Sequence, residues 1–196
     1  LRVEPLLAAT GWAGPVAAWL GMLTAVLMGI VALAQRELKQ LLAASTVAQL
    51  GFVVLAAGVG AVSGGAAHLV AHASTKALLF LAAGAWLTAW GTEDLARLRG
   101  VGRRWQVVGV CASVGALALA GIAPLSLWAT KDAVLAAALE ASPWLYAAGL
   151  LASALSAGLE LSHAAGIDFS QKKHWPQAMT NGTTTRSPFF RLVLPR

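Results

Sequence analysis

His68, His72 and Lys76 recur at every fourth residue. On an α-helix that spacing lays all three along one stripe. The stretch around them, 66–90, carries no other charged residue. A lysine at the centre of an apolar span costs ~2.5–3.5 kcal/mol on insertion scales, so it persists where it faces a bundle interior or a water-filled path. The chemistry open to such a stripe is proton transfer. A histidine titrates near ~6.5 and gains or loses a proton at cell pH. A buried lysine can change between neutral and charged forms as its neighbours change. The three together read as a proton relay; His68 alone also fits a hydrated interfacial histidine. A His-x-x-x-His pair can bind zinc, but no cysteine or carboxylate lies close in sequence to complete such a site. No metal is expected.

Lys131 and Asp132 form a second candidate site. They follow Gly121 and Pro124. Proline removes a backbone donor and clashes with the carbonyl four residues back, so the helix should break near Ala120. Broken membrane helices place charged side chains at helix ends, as transporters do. Resumption of the helical pattern to Glu140 would carry Lys131 and Asp132 back inside, making Lys131 the protonatable site where the path exits. Ser45, Thr46 and Gln49 are read as a polar stripe that bonds a neighbouring helix or holds water. Glu37 and Lys39, with Arg36, read as a loop salt-bridge set that fixes topology.

The elements that must position these residues follow from composition. The chain has 196 residues, 58% hydrophobic and only 11% charged. A soluble domain has about a quarter charged residues. The balance excludes a soluble enzyme and indicates an all-α bundle dissolved in a lipid bilayer. One cysteine, Cys111, excludes an internal disulfide and a cysteine metal cluster. Hydrolase triads, phosphate loops and redox-cofactor motifs are absent from the sequence. The net charge of +6 does not point to nucleic acid, because cytoplasmic loops of membrane proteins favour Lys and Arg.

About five spans are expected: 15–34, 41–62, 66–90, 107–140 with its break, and 143–159. Residues 1–14 read as an outer loop or the end of a preceding segment. Residues 160–196 are polar and read as a disordered or foreign tail. The links after the first and third spans hold Arg36, Lys39 and four arginines, and the tail after the fifth is basic. The links after the second and fourth hold no Lys or Arg. Basic loops mark the cytoplasmic side, so the N-terminus lies out and the tail in. Trp86, Trp90 and Trp105 are expected at the inner interface and Trp12 and Trp144 at the outer one.

Three runs resemble a known family. Residues 36–52 (RELKQLLAASTVAQLGF) are similar to a segment of the proton-conducting membrane subunits of respiratory complex I. Residues 68–81 (HLVAHASTKALLFL) resemble their two-histidine, one-lysine helix, and 121–132 (GIAPLSLWATKD) their broken helix. The order and spacing point to the L, or chain-5, type of NADH-quinone oxidoreductase subunit. Mrp antiporter and membrane-bound hydrogenase subunits share much of the pattern. The resemblance implies one inverted repeat of an antiporter-like fold. It puts His72 and Lys76 on a central path with His68 nearby, and Lys131 with Asp132 at a terminal half-channel. It implies a translocase that carries no cofactor of its own. NADH, flavin, iron–sulfur clusters and quinone would sit in partner membrane-complex subunits, in a bacterial inner membrane. A cation/proton antiporter of Mrp type is the alternative. The change of character after 159 also fits a truncated, inactive remnant.

Overall fold

The computed structural model describes residues 4–92, 94–98, 101–103 and 105–166. Residues 167–196, most of the expected tail, lie outside the described residues, as do Arg99 and Arg104 of the inner loop. Seven α-helices are seen among the described residues: α1 (Glu4–Ala9), α2 (Ala13–Leu33), α3 (Leu38–Gly58), α4 (Val62–Trp90), α5 (Gln106–Ala120), α6 (Ser126–Ala141) and α7 (Pro143–Gly166). A 3-10 turn, Val101–Arg103, precedes α5. Four helices are long and apolar enough to cross a membrane: α2, α3, α4 and residues 143–162 of α7. Large apolar side chains such as Leu20, Leu23, Leu27 and Ile30 line an exposed face of α2. In water that face would drive association; in lipid it needs no cover.

The fourth expected span is two helices. α5 stops at Ala120, and Gly121 takes a left-handed conformation with φ +78° that a side chain would resist. Pro124 follows, and α6 starts at Ser126 from an extended Leu125. The break therefore spans 121–125. Ser142 is extended and Pro143 opens α7 at the first helical position, where its missing N–H is no loss.

The close approach of α2 to α3 follows from small residues. A Cβ on Gly21 would lie 2.7 Å from the Gly51 carbonyl oxygen, and one on Gly14 3.0 Å from that of Gly58. The pairing of 14 with 58 and 21 with 51 makes the two helices antiparallel. With no hydrophobic drive between helices in lipid, such backbone contact supplies dispersion that bulkier residues would prevent. At the ends of the helices, the Leu95 N–H donates to the Arg36 carbonyl at 3.1 Å, and Glu37 bridges Asp94 through the backbone. Those contacts tie the α2–α3 link to the α4–α5 link.

The core is divided. One apolar cluster holds Leu41, Leu42, Leu79, Trp86, Leu119, Leu127 and Leu159. The other holds Met22, Phe52, Leu55, Val134, Leu145 and Ala152. Along α3, Ser45 and Gln49 fall between the two sets; along α6, Lys131 does; along α7, Ser156 does. Trp86 corrects the interface expectation. It is 2% exposed and belongs to the first cluster, because it stands on the buried face of α4 with Leu79 and Ala83. Trp90 and Trp105 pack edge to face at 5.3 Å.

Candidate functional site

Eight polar or ionisable side chains are buried in this bundle: Ser45, Gln49, His68, His72, Lys76, Lys131, Ser156 and Glu160. Among the described residues they come from α3, α4, α6 and α7, and Ser45, Gln49, Lys131 and Ser156 fall between the two apolar clusters along their helices, a buried polar set called the line below.

The α4 stripe forms as its spacing predicts. His68, His72 and Lys76 are all buried on one face. The two imidazoles stack with centroids 6.3 Å apart and planes 4° from parallel. His68 Nδ1 is hydrogen-bonded to Thr130 Oγ1 at 3.0 Å, which joins α4 to α6. Phe52 packs on His68 at 5.9 Å. Both ring nitrogens of His72 and Nε2 of His68 have no hydrogen-bond partner within the described residues.

Lys76 Nζ donates to the Leu42 carbonyl oxygen at 3.2 Å and also to Ser45 Oγ. Glu160 Oε1 lies 3.9 Å from the same nitrogen. Lys131 Nζ donates to the Leu119 carbonyl oxygen at 3.0 Å and to Ser156 Oγ at 3.3 Å. It also stands over the Phe52 ring, 5.8 Å from the centroid. The break explains the Leu119 contact. The last four carbonyls of a helix lack intrahelical donors, and α5 ends one residue after Leu119. The negative end of the helix dipole meets a cation there. Each hydrogen bond to a charged group contributes about 1.5–3 kcal/mol, so two offset the ~2.5–3.5 kcal/mol insertion cost of one lysine. Gln49 Nε2 donates to Ser156 Oγ at 2.7 Å, so one hydroxyl on α7 gathers α3 and α6.

Of the expected residues, the structure brings together His68, His72, Lys76, Lys131, Ser45 and Gln49. Gly121 and Pro124 make the break that presents Leu119 to Lys131. Asp132 is not among the buried residues: it is exposed, turned about 100° around α6 from Lys131. Thr46 bonds the Leu42 carbonyl of its own helix at 2.7 Å. Glu37 is exposed and Lys39 half-buried, both at the start of α3 and away from the buried line. Ser156, Thr130 and Glu160 are added. The helix runs past the boundary expected at 160: α7 continues to Gly166, and Glu160 is 2% exposed and paired with Lys76. No group of three or more His, Cys, Asp or Glu that could hold a metal ion is found among the described residues.

Residues 1–156 match the family described as NADH:quinone oxidoreductase/Mrp antiporter, transmembrane. The chain belongs to this family. Its members include the chloroplast NAD(P)H-quinone oxidoreductase subunit 5 of Zygnema circumcarinatum, 38% identical over 167 residues, which cover 81% of this chain and 23% of that protein. A chain of respiratory complex I from Thermus thermophilus, solved with bound NADH, superposes with a TM-score of 0.78 at 28% identity, covering 84% of this chain and 36% of that one. A chain of the Mrp complex from Dietzia superposes with a TM-score of 0.72 at 27% identity, covering 79% of this chain and 30% of that one. The chain thus spans less than a quarter of the Zygnema relative. It is an integral membrane protein of the complex I and Mrp family, built from apolar helices.

Proposed function

We propose that this chain carries protons across a membrane as part of an antiporter-like subunit of an NADH-quinone oxidoreductase. The carrying observation is the buried set itself: two lysines and two histidines, on α4 and α6, in an apolar core, with Ser45, Thr130 and Ser156 hydroxyls and the Gln49 amide among them. Soluble packing gives no reason to bury four such groups together, whereas proton transfer needs them within reach of one another.

In this reading Lys76 and Lys131 are the main protonatable sites. His72 and His68 connect them, and Thr130, the residue beside Lys131, hydrogen-bonds His68. The chain does no redox chemistry. NADH, flavin, iron–sulfur clusters and quinone belong to partner subunits, whose redox free energy shifts protonation along the line. The basic links support an orientation with the N-terminus outside and the end of α7 inside, in a bacterial cytoplasmic membrane on this reading. The Mrp likeness favours a second reading, a cation/proton antiporter without a redox partner. The respiratory reading is preferred because the Zygnema relative is a quinone oxidoreductase subunit.

The deciding experiment is Lys76→Ala in the full-length protein, with quinone reduction and proton pumping measured separately in membrane vesicles. Pumping should fall by roughly tenfold or more, as expected when a proton-transfer group is removed. Undiminished pumping would refute the role of Lys76. Pumping driven by a sodium gradient in the absence of quinone reduction would instead support the Mrp-type reading.

A further inference from the structure

We propose that Glu160 is a counter-ion shared by the two lysine sites, a positioning residue that couples the charge on Lys76 to the charge on Lys131. The inference rests on the proton-path reading and deepens it.

Ser156 and Glu160 are four apart on α7 and share one face. Ser156 Oγ accepts from Lys131 Nζ at 3.3 Å. One turn further on, Glu160 Oε1 lies 3.9 Å from Lys76 Nζ. A single face of α7 therefore touches both lysines, although they belong to different helices. Glu160 is 2% exposed and Lys76 4%. A carboxylate at that depth persists only where cations offset its lost hydration. Glu160 stands one turn along α7 from the hydroxyl that holds Lys131, so its charge lies within reach of both cations. It is also the only carboxylate among the buried residues of the line.

The consequence is an exchange of charge. When Lys76 passes its proton into the line, it becomes a neutral amine and no longer holds the carboxylate. The field of Glu160 then favours the protonated form of Lys131. A proton taken up again at Lys76 reverses the bias. The two lysines thus alternate around one fixed negative charge, with no proton needed on Glu160 itself.

The test compares variants in membranes carrying the full-length protein, with Lys76→Ala as the reference. Glu160→Gln should lower protons pumped per quinone reduced by about tenfold or more, since breaking a buried charge pair is worth at least two tenfold steps. Glu160→Asp, which keeps the charge, should restore most of the loss. The double variant Lys76→Ala/Glu160→Gln should pump no worse than Lys76→Ala alone. Full pumping by Glu160→Gln beside an impaired Lys76→Ala would overturn the Glu160 assignment and leave the path reading standing. Full pumping by Lys76→Ala would overturn the path reading and this inference with it. A second readout holds even where Glu160→Gln fails to assemble. The infrared carboxylate bands, assigned by isotope-labelled glutamate, should shift in both Lys76→Ala and Lys131→Ala. A shift in the Lys76 variant alone would show that the counter-ion is not shared.

Discussion

The two lysine sites are built from the same parts with one substitution. Each ammonium takes a backbone carbonyl and a serine hydroxyl: Leu42 and Ser45 at Lys76, Leu119 and Ser156 at Lys131. The third partner differs. Lys76 has the carboxylate of Glu160, and Lys131 has the face of Phe52. An ion pair holds one cation by a full charge, whereas the other is held by dipoles and a ring quadrupole. The carbonyls differ as well. Leu42 lies within the first turns of α3 and already accepts from Ser45 and Thr46. Leu119 lies at the broken end of α5, where the carbonyl lacks an intrahelical donor. A site on an intact helix needs a carboxylate; a site at a helix end has the dipole.

The largest effect should come from removing each amine. Lys76→Ala and Lys131→Ala should both lose pumping, but their stabilities should separate. Lys76→Ala takes a cation from beside a buried carboxylate, a change on the order of 3–5 kcal/mol. Lys131→Ala leaves behind a carbonyl, a hydroxyl and an aromatic ring as its direct contacts, each neutral, with Glu160 still paired to Lys76, and should cost about 1–3 kcal/mol. Thermal melting of the detergent-purified protein checks this. Equal losses of melting temperature would break the comparison.

A smaller, more local effect should come from the helix break. Gly121 has φ +78°, and a Cβ there would meet Lys131 Cδ at 3.6 Å and Nζ at 3.7 Å. Gly121→Val forces a β-branched residue into the left-handed region, costing roughly 1–2 kcal/mol, and crowds the Lys131 side chain. Gly121→Asn should cost less, because asparagine tolerates that conformation. Melting and pumping should both rank wild type, Asn, then Val. The carboxylate band of Glu160, reporting mainly on Lys76, should move less in Gly121→Val than in Lys76→Ala. Tolerance of valine equal to that of asparagine would mean the break does not depend on a left-handed residue.

What was legible in the sequence was whatever repeats with the helix. The spacing of His68, His72 and Lys76 predicts one buried face, and the face is there. Ser45 and Gln49 obey the same rule. The pair Gly121 and Pro124 marks the break to the residue, since α5 ends at Ala120. Glu160 was illegible because a charge after an apolar run reads as the end of a span. Only the packing of α7 against α5, α2 and α6 turns it inward, toward Lys76. Ser156 is one of many serines, and its value comes from two donors that lie 107 and 25 residues away in sequence. Trp86 misled for the opposite reason: position near a helix end suggested the interface, while the face it occupies placed it in the core.

The smallest effect tests adjacency against geometry. Asp132 follows Lys131 directly, and that nearness suggested a joint role. Successive residues on an α-helix point about 100° apart, so neighbours in sequence rarely share a face. Lys131 is 5% exposed and turns toward Leu119 and Ser156, while Asp132 is exposed. Asp132→Asn should therefore leave pumping unchanged and stability within about 0.5 kcal/mol of wild type, the range of an ordinary surface substitution. Measured in the same vesicles as Lys131→Ala, the contrast is direct. A loss of pumping in Asp132→Asn near that of Lys131→Ala would place the carboxylate in the path. It would also mean that the outer face of α6 meets a partner helix, because an exposed carboxylate can only act on protons there if another element closes over it.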